Sequence, residues 1–145
     1  MFKRAAFYTL LKRLQEPRRF IQVLAGPRQT GKTTIAQQVA EAVSIPVHLA
    51  TADEPTLRDR VWVTQQWEIA RMKITAKDQN KGSLLILDEA QKVAQWSEVI
   101  KRLWDEDTAS RLPLKVLLLG SSPLLVEKGL TESLAGRFEV IPVTH

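Results

Sequence analysis

Apolar strand-like runs alternate with helical patterns along this chain, and that alternation predicts an α/β fold: an open, mostly parallel five-stranded sheet with helices on both faces. Three observations carry the expectation. The apolar run from Phe20 to Ala25 leads directly into a glycine-bounded turn and then a helical stretch. The runs Ser83 to Leu87 and Leu114 to Leu119 are continuously apolar, as in strands buried on both faces. Between them, Trp96, Val99, Ile100, Leu103 and Trp104 make an apolar stripe at helical spacing.

The elements follow in order. Residues 1–18 read as a basic amphipathic segment whose helix runs from 3 to 15, with Phe7, Leu10, Leu11 and Leu14 on one face. The core domain then occupies 19–145. Its first strand is Phe20 to Ala25, and the helix after it spans Gly31 to Ala42, with Ile35, Val39 and Ala42 at helical spacing. A short second strand covers Ile45 to Ala50, with Pro46 at its start, where a missing N–H is tolerated. Thr56 to Ala76 predicts a long helix, Asp78 to Gly82 a polar turn, and Arg137 to Pro142 the fifth strand.

The strongest chemical signal is Gly26-Pro27-Arg28-Gln29-Thr30-Gly31-Lys32-Thr33-Thr34, a Gly-x-x-x-x-Gly-Lys-Thr phosphate loop set between a strand and a helix. Backbone N–H groups of the loop and the helix N-terminus would hold a β-phosphate. Gly26 and Gly31 permit the close approach, Lys32 places an ammonium against the β- and γ-phosphates, and the Thr33 hydroxyl is a magnesium ligand. Arg28 either senses the γ-phosphate, bridges to a neighbouring subunit, or points outward with no nucleotide contact.

Asp88 and Glu89 close the third strand. Asp88 can hold magnesium through water, and Glu89 is placed to accept a proton from an attacking water; a helix N-terminal cap is the simpler use of such a pair. The fourth strand ends in Gly120-Ser121-Ser122-Pro123. A hydroxyl there would orient the water or sense the γ-phosphate, or else the segment is a turn before a helix cap.

Gly26 to Thr34, Leu87-Asp88-Glu89-Ala90-Gln91, Gly120 to Ser122 and Leu130 to Arg137 together resemble the AAA-type ATPase domain of a prokaryotic P-loop family. Members of that family usually continue into a C-terminal domain of unknown function. The resemblance implies a P-loop NTPase core, a three-layer α/β/α sandwich with strand order 5-1-4-3-2. It also implies Walker A and Walker B roles for Gly26 to Thr34 and for Asp88 and Glu89, a polar sensor at Ser122, ATP as the nucleotide, and an arginine at Arg137 that reaches a neighbouring subunit's site; a surface pair of Arg137 with Glu139 or a nearby carboxylate is the plain alternative. The segment Val47 to Glu54 matches the family's acidic position only loosely. The chain stops at His145 without room for the helical lid, so a shortened form, a domain fragment or a degenerate product is expected.

Composition narrows the partners. The absence of cysteine excludes disulfides and thiolate metal sites. No signal peptide or membrane-length apolar run is present, so a cytoplasmic protein with no membrane partner is expected. Residues 1–28 carry a net charge of +6 and the remainder −1, so the formal +5 belongs to the N-terminus. That basic face could meet nucleic acid or an acidic partner, although no nucleic-acid-binding motif supports it, and a solvated helix face is the plain alternative. His48 is expected to be a hydrogen-bonded structural residue. Trp62 and Trp67 are expected to pack their helix against the sheet or a further domain, with adenine stacking as the alternative. Three functions remain open: an ATPase motor or switch, a nucleotide-binding module with little turnover, and a P-loop kinase for a small metabolite.

Overall fold

A computed structural model of the protein describes residues 2–26, 31–52, 60–74, 81–121 and 129–143. Five strands form one parallel sheet: β1 (Ile21–Gly26), β2 (Val47–Thr51), β3 (Ser83–Asp88), β4 (Leu114–Ser121) and β5 (Phe138–Pro142). Their spatial order is β2-β3-β4-β1-β5, which is 5-1-4-3-2 read from the other edge. Among the described residues, helices α1 (Phe2–Gln15), α2 (Lys32–Ala42), α3 (Arg60–Met72) and α4 (Trp96–Ser110) cover the sheet. Among the described residues no helical lid accompanies this P-loop NTPase core.

Because side chains alternate along a strand, the two faces build separate cores. On one face, Leu24, Leu84, Ile86, Leu117 and Leu119 pack with Leu10 and Leu14 of α1 and Ile35 and Val39 of α2. On the other, Val23, Leu85, Leu87, Val116 and Leu118 pack with Trp62, Val63 and Trp67 of α3 and Ile100, Leu103 and Trp104 of α4. Full burial of each aliphatic side chain stabilises by about 1.5–3 kcal/mol.

The two tryptophans of α3 are therefore core residues, and Trp67 has no exposed face on which adenine could stack. His48 is structural as expected, with its Nε2 2.7 Å from Gln66 Oε1.

Several element ends differ from expectation, three of them for a physical reason. β2 begins at Val47, after Pro46. The Pro46 carbonyl still accepts a hydrogen bond from Leu84, but proline has no N–H with which to join the ladder. α3 ends at Met72, short of Ala76: Lys73 and Ile74 donate to Ala70 and Arg71, tightening the last turn as Ile74 packs against the core. β5 begins at Phe138, because Arg137 still closes the preceding turn through its N–H to Leu134 O.

Two polar networks lock α4 in place. Asp107 is buried and accepts from Trp67 Nε1 at 2.7 Å and from Arg71 Nε at 2.9 Å, joining α4 to α3. Burial raises the Asp107 pKa above its ordinary 3.8, against the lowering effects of Trp67 and Arg71. Arg18 lies over the Trp104 ring at 3.5 Å and donates to Leu114 O, Trp104 O and Thr108 Oγ1. Desolvation lowers its pKa to about 10.

Glycine is required where β3 is entered. Gly82 has φ +78°, and a Cβ there would stand 1.8 Å from the Pro113 carbonyl oxygen. Gly136 has a similar φ of +79° but open space around the position. Gly136→Ala should therefore cost about 1–2 kcal/mol from backbone strain alone, and Gly82→Ala clearly more, as read by urea denaturation midpoints.

Asp107→Ala should cost about 1–3 kcal/mol, because it leaves the buried Trp67 N–H without an acceptor, while Arg71 keeps its pairs with Glu68 and Glu106. A raised carboxylate pKa favours folding below 3.8 and loses that contribution as pH rises through the folded-state value. The stability of wild type relative to Asp107→Asn should therefore improve as pH falls through this window, measured by denaturation at several pH values.

Candidate functional site

All five strands run the same way, so their C-terminal ends share one edge, and the sequence motifs converge there. β1 ends at Gly26, level with Ser121 at the end of β4. β3 ends at Asp88, level with Thr51 at the end of β2. β4 lies between β1 and β3. Asp88 is level with Leu119, two residues before Ser121, so with strands about 4.8 Å apart and a rise of about 3.3 Å per residue the ends of β1 and β3 stand roughly 12 Å from each other.

The turn after β1 enters α2 through Gly31, which adopts the left-handed conformation (φ 86°, ψ 21°) and has no side-chain cap. No acidic residue lies in the first turn of α2, so its N-terminal N–H groups and dipole suit an anion. Lys32 donates from Nζ to Gly26 O at 2.9 Å, tying the first residue of α2 to the last of β1. Thr33 and Thr34 lie exposed in the first turn. Pro27, Arg28, Gln29 and Thr30 lie outside the described residues, as does Ser122.

Asp88 is partly buried and accepts from Thr51 Oγ1 at 3.2 Å. Glu89 leaves the strand in the left-handed region (φ 60°, ψ 33°), with its N–H held by Leu119 O at 2.9 Å. Side chains with a Cβ pay about 1–2 kcal/mol for that conformation, so the turn is held by its surroundings. The Glu89 side chain, 17% exposed, accepts from Gln91 Nε2 at 2.6 Å and lies 4.0 Å from Lys92 Nζ. The 3₁₀ turn Ala90–Lys92 that carries Gln91 is anchored by the buried Ala90 and Val93.

The donor set fits a magnesium–triphosphate. Magnesium takes one or two carboxylates and completes its shell with phosphates and waters. Here one carboxylate, Asp88, stands at a strand end near a hydroxyl, and the described residues contain no group of three His, Asp or Glu that would make an all-protein metal cage.

Arg137 lies elsewhere. Ile21 pairs with Phe138 and Ala25 with Pro142, so Arg137 is level with the start of β1, roughly 20 Å along the strands from Gly26. It makes a bidentate pair with Asp105, Nε to Oδ1 at 2.8 Å and Nη2 to Oδ2 at 2.9 Å. The hydrogen bond from Arg137 is the main cause holding Asp105 below its ordinary pKa range. Two polar residues of the site went unassigned in the sequence. Thr51 had only its position at a strand end as a signal, and Gln91 only its spacing two residues after Glu89.

A family profile for the AAA domain matches residues 18–145. The chain belongs to the AAA domain family. ATP binding and hydrolysis are the general activity of this family, and the five-stranded parallel sheet in the order above is its fold. Two relatives, uncharacterized proteins of Mycobacterium bovis and Mycobacterium tuberculosis, are each 33% identical over 125 residues. Those 125 residues are 86% of this chain, which spans 25% of the length of either relative. Among solved structures, a chain in the Escherichia coli MS115-1 HORMA:CdnC:Trip13 complex superposes with a TM-score of 0.61 at 20% identity. That likeness covers 88% of this chain and 45% of the other, and shows the shared fold. No described helix of this AAA domain is long and apolar enough to cross a membrane.

Because the Arg137–Asp105 pair is exposed, Arg137→Ala should lower stability by less than about 1 kcal/mol. Chemical denaturation of the variant checks this. A larger loss would make Arg137 a structural residue of the fold.

Proposed function

We propose that this AAA domain binds ATP with magnesium and hydrolyses it, driving or switching a partner. The observation that carries the reading is the placement of Gly26, Lys32, Asp88 and Glu89 around the ends of two strands that β4 holds apart. Gly26 to Thr34 would cradle the phosphates, with Lys32 against the β- and γ-oxygens. Thr33 and Asp88 would hold magnesium, which neutralises charge on the phosphates when bound. Glu89 would accept the proton of the attacking water, and Ser122 would orient that water.

Arg137 cannot reach its own phosphate loop from the opposite end of the sheet. Its role in transition-state stabilisation would be exercised on a second copy of the domain in an oligomer. The second reading is a nucleotide-binding module with little turnover, favoured by the engagement of Arg137 with Asp105 on its own surface. A small-metabolite kinase fits less well, since Glu89 offers a water-activating carboxylate that such an enzyme does not need.

Lys32→Ala should weaken ATP binding at least tenfold by calorimetry, since it removes the charge nearest the γ-phosphate. Equal affinity would remove the nucleotide-site assignment. Glu89→Gln should keep binding and lose about 10²–10⁴-fold in phosphate release. Binding without turnover in the unaltered chain at every concentration would favour the module. Mixing Glu89→Gln with Arg137→Ala chains should restore turnover if the site is shared between subunits.

A further inference from the structure

Glu89 and Gln91 form a contact at the edge of the site that the roles above do not explain. One carboxylate oxygen of Glu89, Oε2, is held by Gln91 Nε2 at 2.6 Å. Among the described residues no group bonds the other oxygen, Oε1. Gln91 Oε1 is itself buried and, among the described residues, has no donor. A buried amide oxygen without a donor is unfavourable, and exchanging the amide's oxygen and nitrogen would bring an oxygen against the carboxylate, which is repulsive. The charge-assisted bond to Glu89 therefore orients the Gln91 amide one way only.

The backbone supports the same arrangement. Gln91 sits on a short 3₁₀ turn in which Lys92 donates to Glu89 O, Val93 donates to Ala90 O, and Ala90 and Val93 are buried. Glu89 is fixed by its left-handed conformation and by its N–H to Leu119 O. Both ends of the Glu89–Gln91 contact thus stand on rigid backbone, and the carboxylate has one anchored oxygen and one free.

We propose that Gln91 is a positioning residue for Glu89. Its amide anchors Oε2 so that Oε1 is presented to the attacking water as proton acceptor. This rests on the hydrolytic reading above. During the step, the water's proton passes to Glu89 Oε1 as the water oxygen bonds to the γ-phosphorus, and the bond from that phosphorus to the β–γ bridging oxygen breaks, leaving ADP and phosphate. Gln91 exchanges no proton; it restricts the orientation of the acceptor.

Steady-state phosphate release, calorimetric ATP binding and thermal unfolding on wild type, Gln91→Ala, Gln91→Met, Glu89→Gln and the Gln91→Ala/Glu89→Gln double variant test this. Gln91→Met keeps length and volume without the donor. The expected result is a loss of about ten- to a hundredfold in kcat for both Gln91 variants, with KM and ATP affinity within about twofold of wild type. The double variant should be no slower than Glu89→Gln alone, because Gln91 acts through that carboxylate. Wild-type kcat in both Gln91 variants, beside an inactive Glu89→Gln, would overturn this inference and leave the hydrolytic reading standing. Parallel losses of kcat, ATP affinity and melting temperature would overturn it too, making Gln91 a structural residue of the turn. Turnover by Glu89→Gln equal to wild type, or none by wild type, would instead overturn the hydrolytic reading together with this inference.

Discussion

The position of β4 between β1 and β3 is the constraint on which the rest of the structure depends. Its side chains Leu117 and Leu119 on one face, and Val116 and Leu118 on the other, are buried, so both helix layers close against it. Because it pairs in parallel with both neighbours, it brings Gly26 and Asp88 to the same edge of the sheet and holds them two strand spacings apart. A slip of one residue in β4 would exchange its two buried faces and shift the strand ends relative to one another. Apolar packing thereby sets the geometry of the polar edge.

Polar contacts then decide how the helices sit on that sheet. The positive charge concentrated near the N-terminus is partly spent inside the molecule: Arg18 stacks on Trp104 and donates to main-chain carbonyls, and Arg13 lies 2.9 Å from Glu139 of β5. Lys115 donates to Leu14 O at the end of α1, and burial lowers its pKa. These residues fasten α1 and the segment after it to the sheet and to α4. A net charge read from the chain overstates the free basic surface, and with it the case for nucleic acid.

The two ends of the sheet carry different kinds of chemistry. At the C-terminal edge the acceptors are Asp88 and Glu89, each oriented by a neighbouring hydroxyl or amide. At the N-terminal edge Arg137 is held by Asp105 and sits beside the turn of Gly136. A single chain separates these edges by the length of a strand. The left-handed conformations at Glu89, Gln95 and Arg111 mark the points where the chain turns sharply around this frame.

By itself, the sequence determined the fold class, the strands buried on both faces, the apolar stripe of α4 and the Gly26 to Thr34 motif. Each is a local pattern: continuous apolar runs report two-sided burial, period 3.6 reports a helix face, and Gly31 supplies the left-handed residue that the turn into α2 requires. Tertiary structure alone decided the partners. Asp107 meets Trp67 and Arg71 across two helices, Thr51 meets Asp88 across two strands, and Arg137 pairs with Asp105 while the nearby Glu139 is taken by Gln22 and Arg13. The early end of α3 at Met72 likewise follows from the packing of Ile74 against the core. Periodicity measures how much of a side chain is buried; which donor meets which acceptor depends on the packing of elements far apart in sequence, and no local pattern encodes it.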